Sequence, residues 1–289
     1  MKKKIIPLII VLLTLLVLFL VLLFTGVFNT YNKYQDLKYG ENERNTLDLY
    51  IPKNYKGTGL LLYIHGGAWI AGSKDGYKRD LEKYAKKGIA CAAINYRYTS
   101  SDVTCNDILD DIDSAVSFIK EKANSYGYTL DKMMLTGHSA GAHLSLLYSY
   151  KYQDTSVIKP VAVASFAGPT DLTDSAYYEN WDSAYELFSY MIGLSFNSET
   201  IDLYKDDLLD ISPISYVNSK TIPTIIAQGE KDDIVSLYNG KILENVLKEN
   251  NVTYYAYYYP NSGHGLDNDK DISKIVNNKF DEFINTYLK

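Results

Sequence analysis

The stretch KMMLTGHSAGAHL, residues 132–144, decides the fold that the rest of the sequence supports. It places one serine, Ser139, between Gly137 and Gly141, where an apolar run gives way to helical periodicity. A tight turn at that junction would put the serine backbone in a sparsely populated conformation, at a cost of about 1–3 kcal/mol. The two glycines have no side chains to clash there. The pattern is typical of a nucleophile elbow, although GxSxG alone also fits an ordinary glycine-rich turn.

A second glycine motif follows an earlier apolar run. After residues 60–64 the sequence reads HGGAW, residues 65–69. Glycines after a strand let backbone N–H groups turn toward a ligand, and acyl transfer needs such donors for the negative oxygen of its tetrahedral intermediate. Gly66 and Gly67 alone could make an ordinary turn. Their combination with a serine motif that also follows a strand predicts an oxyanion loop.

One of the four histidines is placed to act as a general base. His65 opens the glycine loop, His138 flanks the serine, and His143 lies one turn into the following helix, so local geometry points them away from the serine hydroxyl. His264 lies in NSGHG, residues 261–265, after the last strand-like run. A lone loop histidine is often a solvated surface residue, but this position favours a base at His264.

The loop GEKDDIV, residues 229–235, offers two carboxylates that could orient this histidine, Asp232 and Asp233. The loop follows an apolar run, so we expect it at the same edge of the sheet as the other motifs. A solvated turn is the alternative for both aspartates. The chain order serine, aspartate, histidine matches that of hydrolases with a strand-turn-helix elbow.

Short apolar runs alternate with helical segments along the chain. The predicted strands are a hairpin over 37–52 that turns at 40–45 and the runs 60–65, 89–95, 132–136, 160–166, 224–228 and 253–259. The predicted helices are 77–87, 106–126, 142–150, 237–250 and 272–288. This order predicts an α/β fold with a mostly parallel sheet flanked by helices, and with functional loops at the carboxyl ends of the strands.

An aromatic-rich segment, about residues 171–220, interrupts this alternation without a clear buried strand. We predict an insertion in a single catalytic domain that spans residues 31–289. The insertion either folds over the strand ends as a partial lid or packs on the flank of the sheet with its aromatic side chains in the core.

The first thirty residues form a separate segment. Lys2, Lys3 and Lys4 precede an uncharged run over 5–24, and twenty helical residues span about 30 Å, the thickness of the hydrocarbon core of a bilayer. The run is longer than the apolar region of most cleaved signals, so we predict an uncleaved transmembrane anchor over 1–30, with a cleaved signal and a secreted domain as the alternative. The lysines should stay cytoplasmic, which places the domain on the extracytoplasmic side of the cell membrane.

The charge balance argues against nucleic acid as a partner, and the cysteines and histidines argue against a disulfide framework and a zinc site. Without the three N-terminal lysines, 26 basic residues face 35 acidic ones, a balance of −9 that argues against binding nucleic acid. Cys91 and Cys105 are too few for a disulfide framework, and whether they pair is left open. The histidines and cysteines lack zinc spacing, so no metal is expected.

Taken together, these motifs resemble an α/β-hydrolase of the carboxylesterase group with an HGG oxyanion loop, close to feruloyl-esterase-like, acetylxylan-esterase-like and kynurenine-formamidase-like enzymes. The resemblance covers about residues 37–289. It lies in the motifs LDLYIP from 47, HGGAW from 65, NYRY from 95, GHSAGAHL from 137, SPI from 212 and GxxDxxV from 229. Gln228 departs from the histidine, and Ser236 from the proline, that many relatives carry at these positions.

The resemblance implies a role for each site residue. Ser139 is the nucleophile, His264 the base and Asp232 the acid, because GxxDxxV aligns Asp232 with the acid of the family. The residues implied as oxyanion donors are Gly67, Ala68 and Ala140, with Gly66 as a further candidate. Trp69 is expected to border the acyl or alcohol pocket, with simple packing as the alternative.

The expected function is hydrolysis of small or carbohydrate-linked carboxylic esters through an acyl-serine, without a metal or an organic cofactor. Peptidase, amidase and acyltransferase activities are alternatives on the same fold. A catalytically silent binding protein with a hydrolase fold is an alternative from another class.

Overall fold

The computed structural model describes residues 13–17, 30–181 and 183–289 of the chain. In that part, one sheet contains eight strands: β1 (Tyr31–Lys38), β2 (Thr46–Pro52), β3 (Gly59–Ile64), β4 (Ala90–Ile94), β5 (Lys132–His138), β6 (Lys159–Phe166), β7 (Thr224–Gly229) and β8 (Tyr254–Tyr259). Their order is β1-β2-β4-β3-β5-β6-β7-β8. β2 is antiparallel to β1 and β4, and the strands from β4 to β8 are parallel. The predicted hairpin and mostly parallel sheet are confirmed.

Helices connect the strands and flank the sheet. They are α1 (Lys78–Lys86), α2 (Cys105–Ser125), α3 (Ala140–Lys151), α4 (Ser175–Asn180), α5 (Ala184–Ile192), α6 (Lys205–Asp210), α7 (Leu237–Glu249) and α8 (Lys270–Phe283). Short 3₁₀ turns lie at Lys74–Tyr77, Ile201–Tyr204 and Pro213–Tyr216, and a π-helical turn at Ile284–Leu288 follows α8. α2 begins at a capping box in which Thr104 and Asp107 bond to each other's backbone N–H groups.

The apolar core has two parts, one on each face of the sheet. Side chains of a strand alternate between faces, and those of β3 divide in this way: Leu60 and Leu62 join one buried cluster, whereas Leu61 and Tyr63 join the other. All of β3 is buried, as expected for a parallel strand that is covered by helices on both sides.

Cys91 and Cys105 are both buried free thiols. They belong to the two different core clusters and thus lie on opposite faces of the sheet, which keeps them apart. The Cys91 Sγ–H donates to the Leu81 carbonyl oxygen at 3.2 Å, and burial raises the pKa of Cys105 to about 12. Neither thiol is placed for chemistry.

The strand order brings the two glycine motifs together. The chain leaves β3 for β4 on one side and returns through β5 on the other, which makes the β3–β5 boundary a topological switch point. Ile64 pairs with Gly137, so the loops that follow β3 and β5 start side by side. Gly229 and Tyr259, the last residues of β7 and β8, also pair with each other, so the loops that carry the candidate acid and base are neighbours as well.

The predicted insertion is helical. Apart from residue 182, which the structure does not describe, its residues form α4 to α6 and short turns without a strand. Tyr177, Phe188 and Phe196 are buried in the core cluster on the α2 side of the sheet, as the packing alternative predicted. A lid role stays a prediction.

Most of the predicted membrane anchor, residues 5–24, lies outside the described residues. Residues 13–17 are helical and exposed. Among the residues that the structure describes, none of the helices has the length and apolar character needed to cross a bilayer.

Candidate active site

Ser139 occupies a strained turn between β5 and α3. Its backbone has φ 57° and ψ −128°, an unfavourable region for a residue with a Cβ, as the sequence predicted. The turn is held by the Ser139 N–H, which donates to the Phe166 carbonyl oxygen at 2.9 Å. A Cβ at Gly141 would lie 2.1 Å from the Ile64 carbonyl oxygen, so only glycine lets α3 start this close to β3.

The glycine loop after β3 lies against the elbow. A Cβ at Gly66 would come 2.5 Å from the His138 carbonyl oxygen and 3.4 Å from the Ser139 Cβ. The loop then turns through three successive residues with positive φ: Gly67 at 113°, Ala68 at 49° and Trp69 at 60°. Two of these are not glycines, and such strain is typical of functional sites.

The four predicted oxyanion donors have free backbone N–H groups. Within the described chain, the amides of Gly66, Gly67, Ala68 and Ala140 donate to no other residue. Ala140 is the first residue of α3, where unpaired amides and the helix dipole favour a negative charge. The arrangement can therefore accept an oxyanion next to Ser139.

The candidate base and acid are hydrogen-bonded. His264 Nδ1 lies 2.9 Å from Oδ2 of Asp232, whose side chain is fully buried, while that of His264 is 17% exposed. Asp232 Oδ1 accepts the backbone N–H groups of Ile234 at 3.0 Å and Val235 at 2.9 Å. Asp233, the other aspartate considered, is exposed.

The His264 loop contacts the elbow through His138. The His138 Nε2–H donates to the His264 carbonyl oxygen at 2.7 Å, and the two imidazole rings have centroids 4.7 Å apart. The Ser139 hydroxyl has no hydrogen-bond partner among the described residues, His264 included. Catalytic hydrogen bonds often tighten only when substrate binds. The structure thus joins His264 to Asp232 and places His264 beside the residue that precedes Ser139.

Sequence reasoning missed the role of Gln228. This residue is 1% exposed at the end of β7, and its Nε2 donates both to Asp232 Oδ2 at 3.0 Å and to the Val235 carbonyl oxygen at 2.9 Å. It therefore helps to hold the carboxylate by its Oδ2, whereas the backbone donors bond to Oδ1. The only signal in the sequence was the departure from histidine at this position.

Arg44 was also missed, and it fixes the start of the glycine loop. Its Nε donates to the Tyr96 carbonyl oxygen at 2.9 Å, and its Nη2 lies 3.2 Å from both His65 Nε2 and the Gly72 carbonyl oxygen. Because arginine only donates, His65 Nε2 is an acceptor, and its Nδ1–H donates to the Gly66 carbonyl oxygen at 2.8 Å. Burial lowers the pKa of His65 to about 4, which keeps the ring neutral.

Trp69 is 1% exposed and packs inside the molecule. Its Nε1–H donates to His143 Nδ1 at 3.1 Å, and its ring meets that of Phe188 in the insertion at 6.1 Å. The His143 Nε2–H donates to the Ile211 carbonyl oxygen at 2.7 Å, and burial lowers the pKa of His143 to about 4. The structure gives Trp69 a packing role, and a contact with substrate stays a prediction.

Among the described residues, no three or more histidine, cysteine, aspartate or glutamate side chains cluster so that they could hold a metal ion. The arrangement around Ser139 resembles a site for acyl transfer, with a serine in a strained turn, a carboxylate-bound imidazole and free amides at the carboxyl ends of the strands.

Comparison with known proteins identifies the family. The BD-FAE family model matches residues 47–247, a span that contains the glycine loop, the elbow and Asp232. The chain belongs to the BD-FAE family.

Curated relatives of this BD-FAE chain include a probable carboxylic ester hydrolase, LipM, from Mycobacterium tuberculosis, which is 27% identical over 239 residues. That match covers 77% of this chain and 53% of LipM. A probable isoprenylcysteine alpha-carbonyl methylesterase, ICME, from Oryza sativa subsp. japonica is 37% identical over 108 residues, covering 37% of this chain and 26% of the relative. The chain spans about half or less of the length of these relatives.

Solved structures confirm the α/β-hydrolase fold for the BD-FAE chain. A truncated carbohydrate esterase from gut microbiota superposes with a TM-score of 0.70 at 22% identity, covering 86% of this chain and 97% of the other. Esterase B from Lactobacillus Rhamnosis gives a TM-score of 0.67 at 19% identity, and the match covers 89% of this chain and 87% of the other.

Proposed function

We propose that the chain is a serine ester hydrolase that works through an acyl-enzyme, with Ser139 as nucleophile, His264 as base and Asp232 as the acid that orients it. The observation that carries this proposal is the 2.9 Å contact between His264 Nδ1 and the buried Asp232 carboxylate, next to the strained elbow. Relatives that are named as esterases and carboxylic ester hydrolases support the reaction type.

In the proposed first half-reaction, His264 Nε2 takes the proton from the Ser139 hydroxyl as its Oγ attacks the ester carbonyl carbon. The carbonyl oxygen becomes an oxyanion that accepts N–H groups from Gly67, Ala68 and Ala140, with Gly66 as a further donor. Collapse breaks the bond to the leaving alcohol, which receives the proton from His264.

In the second half-reaction, a water gives a proton to His264 and its oxygen attacks the acyl-serine carbon. The same amides stabilise the second oxyanion, and collapse returns the proton to Ser139 Oγ as the carboxylic acid leaves. Asp232 accepts the Nδ1–H throughout, which leaves Nε2 of the neutral ring free to accept a proton and stabilises the imidazolium that then forms.

We propose small or carbohydrate-linked esters as substrates. A carbohydrate esterase is among the structures with the same fold, and the predicted anchor at 5–24 would place the domain where external esters are met. Separation of cells into membrane and soluble fractions tests that placement, since recovery of the full-length protein only in the soluble or secreted fraction would contradict it.

Turnover of p-nitrophenyl acetate by the wild type and by Ser139→Ala tests the reaction. We expect the variant to lose about 10⁶ in kcat, whereas the matched change Ser125→Ala, at an exposed serine that ends α2, leaves kcat unchanged. Equal rates for wild type and Ser139→Ala would contradict the proposal. Parallel assays of acetyl, butyryl, octanoyl and feruloyl esters, a matched anilide and an added sugar acceptor would separate hydrolysis of esters from amidase and acyltransferase activity.

A further inference from the structure

A second cavity lies beside the active site, between α1 and α8. Its volume is about 280 Å³, and residues from the ends of β3, β5 and β6 form its inner wall. His138 and Gly265, the chain neighbours of Ser139 and His264, line it, but those two residues do not. The cavity is thus separate from the proposed ester site, although both share the elbow and the histidine loop.

Aromatic side chains form much of the wall. They are Tyr63, Tyr77, Tyr84, Phe166, Tyr259 and Phe280. The rings of Tyr63 and Tyr77 are 4.7 Å apart, those of Phe166 and Phe280 6.0 Å apart and those of Tyr84 and Phe280 5.9 Å apart, so the wall contains two groups of packed rings. Such surfaces bind both aromatic rings and organic cations.

A carboxylate without a partner faces this space. Asp80, on α1, is partly buried and forms no hydrogen bond or ion pair with any described residue, and burial raises its pKa. The nearby cation, Lys83, is directed to Tyr84, with its Nζ 3.4 Å from the hydroxyl and 4.7 Å from the ring centroid. Lys83 also lines the cavity and its positive charge acts on Asp80, but it does not come close enough to the carboxylate to form an ion pair. Among the described residues Asp80 is therefore left without a direct hydrogen-bond or ion-pair partner.

Tyr63 and His138 also offer unpaired polar groups in the lining, within the described chain. The Tyr63 side chain is 6% exposed, and its hydroxyl makes no hydrogen bond. His138 donates through Nε2 to the His264 carbonyl oxygen, so its Nδ1 is an acceptor, and it too is unpaired. A carboxylate and an imidazole nitrogen offer acceptors only, and the hydroxyl can also accept.

We propose that this cavity binds a small protonated aryl-alkyl amine. The ammonium group would donate to the Asp80 carboxylate and to His138 Nδ1, and the aryl group would pack against the aromatic wall. An ionised carboxylate or phosphate group has no proton to donate to Asp80 or to His138 Nδ1, and a neutral ligand would leave the Asp80 carboxylate without an ionic partner. Binding of the amine is independent of ester hydrolysis.

Calorimetric titration of the full-length protein with 2-phenylethylammonium and with its neutral isostere 2-phenylethanol tests the proposal. We expect the ammonium to bind at least about tenfold more tightly, a difference of the size that one desolvated charge pair provides. Asp80→Asn, which keeps the shape of the side chain, should abolish the preference. Glu82→Gln, the same change on the same helix at a residue outside the cavity lining, should keep it.

Absence of saturable binding by 2-phenylethylammonium would overturn the proposal, and so would equal affinity for the alcohol. An unchanged preference in Asp80→Asn would overturn it as well. The titration is made without an ester, so its outcome does not depend on whether Ser139 is a nucleophile.

Discussion

Four donors surround the carboxylate of Asp232: the backbone N–H groups of Ile234 and Val235, the amide of Gln228 and the Nδ1–H of His264. Each oxygen of the carboxylate accepts two of them. The group cannot rotate without breaking these hydrogen bonds, so Oδ2 stays directed at the imidazole. In the proposed mechanism, proton transfer from Ser139 to His264 depends on this orientation, because the tautomer with a free Nε2 requires an acceptor at Nδ1.

Gln228→Ala removes one of these donors. We expect kcat for p-nitrophenyl acetate to fall about 10- to 100-fold with little change in KM, since a hydrogen bond to a charged group is worth about 1.5–3 kcal/mol. Steady-state kinetics measures both constants. Gln153→Ala, at a buried glutamine outside the site, is the control for a loss of stability alone. A rise in KM with unchanged kcat would contradict the positioning role.

Arg44 holds the glycine loop, residues 65–69, in a comparable way. Arg44→Ala should lower kcat about 10- to 100-fold, because the ring of His65 loses the donor that fixes its tautomer and the loop loses its tie at Gly72. Kinetics with and without added guanidinium measures the effect. Added guanidinium should restore part of the activity of Arg44→Ala. It should not raise the activity of the control Arg79→Ala, which removes an exposed arginine on α1. Full activity of Arg44→Ala would contradict the role.

At the scale of elements, the junction of β5 and α3 determines where Ser139 lies. The helix starts against β3, and there is no room for a side chain at either flanking glycine: a Cβ at Gly137 would lie 2.4 Å from the Gly141 carbonyl carbon. Close packing of backbone on backbone holds Ser139 in its strained conformation.

Gly141→Ala places a methyl group 2.1 Å from the Ile64 carbonyl oxygen. Because backbone cannot move aside cheaply, we expect the free energy of unfolding to fall by about 3 kcal/mol or more. Urea denaturation followed by circular dichroism measures it. Gly76→Ala is the matched control, since nothing lies within 4 Å of its added Cβ, and it should be neutral or slightly stabilising. Equal stabilities of the two variants would contradict the steric argument.

Elements with a strong local pattern were predictable from the sequence. β3 and β5 are short apolar runs that end in glycine motifs, and both were found within two residues of their observed ends. β1 begins at Tyr31 rather than at 37, because this edge strand alternates with polar residues and resembles a loop in the sequence.

The candidate site shows the same difference between residues that lie in a local sequence pattern and residues that do not. Ser139, Asp232 and His264 lie in motifs or could be found by elimination, whereas Arg44 and Gln228 are single polar residues without a motif. Their roles arise from contacts between distant parts of the chain, such as Arg44 with His65, and no local spacing encodes such contacts.

At the scale of the whole molecule, buried neutral histidines couple folding to pH. Burial lowers the pKa of His65 and of His143 to about 4, from an ordinary value of 6.5, and lowers that of His138 as well. The unfolded chain therefore binds more protons than the folded one between these values. The contribution of these neutral rings to the free energy of unfolding is fully present above pH 6.5. It is lost as the pH drops toward 4, by up to about 3 kcal/mol for each fully shifted ring.

His143→Gln tests this coupling, since glutamine can accept from Trp69 and donate to Ile211 without titrating. Between pH 6.5 and 4, we expect the free energy of unfolding of the wild type to fall by about 1.4 kcal/mol per pH unit more than that of the variant. This difference corresponds to one proton. Urea denaturation at several pH values gives both slopes. Parallel slopes would contradict the assignment of His143 as a neutral buried ring.

The most direct test of the proposed active site is the reaction of the protein with a fluorophosphonate, mapped by peptide mass spectrometry. The proposed chemistry predicts one covalent adduct at Ser139, and labelling that slows at least about a thousandfold in His264→Ala, because the base no longer removes the proton. An unmodified Ser139, or equal labelling rates in the wild type and His264→Ala, would contradict it.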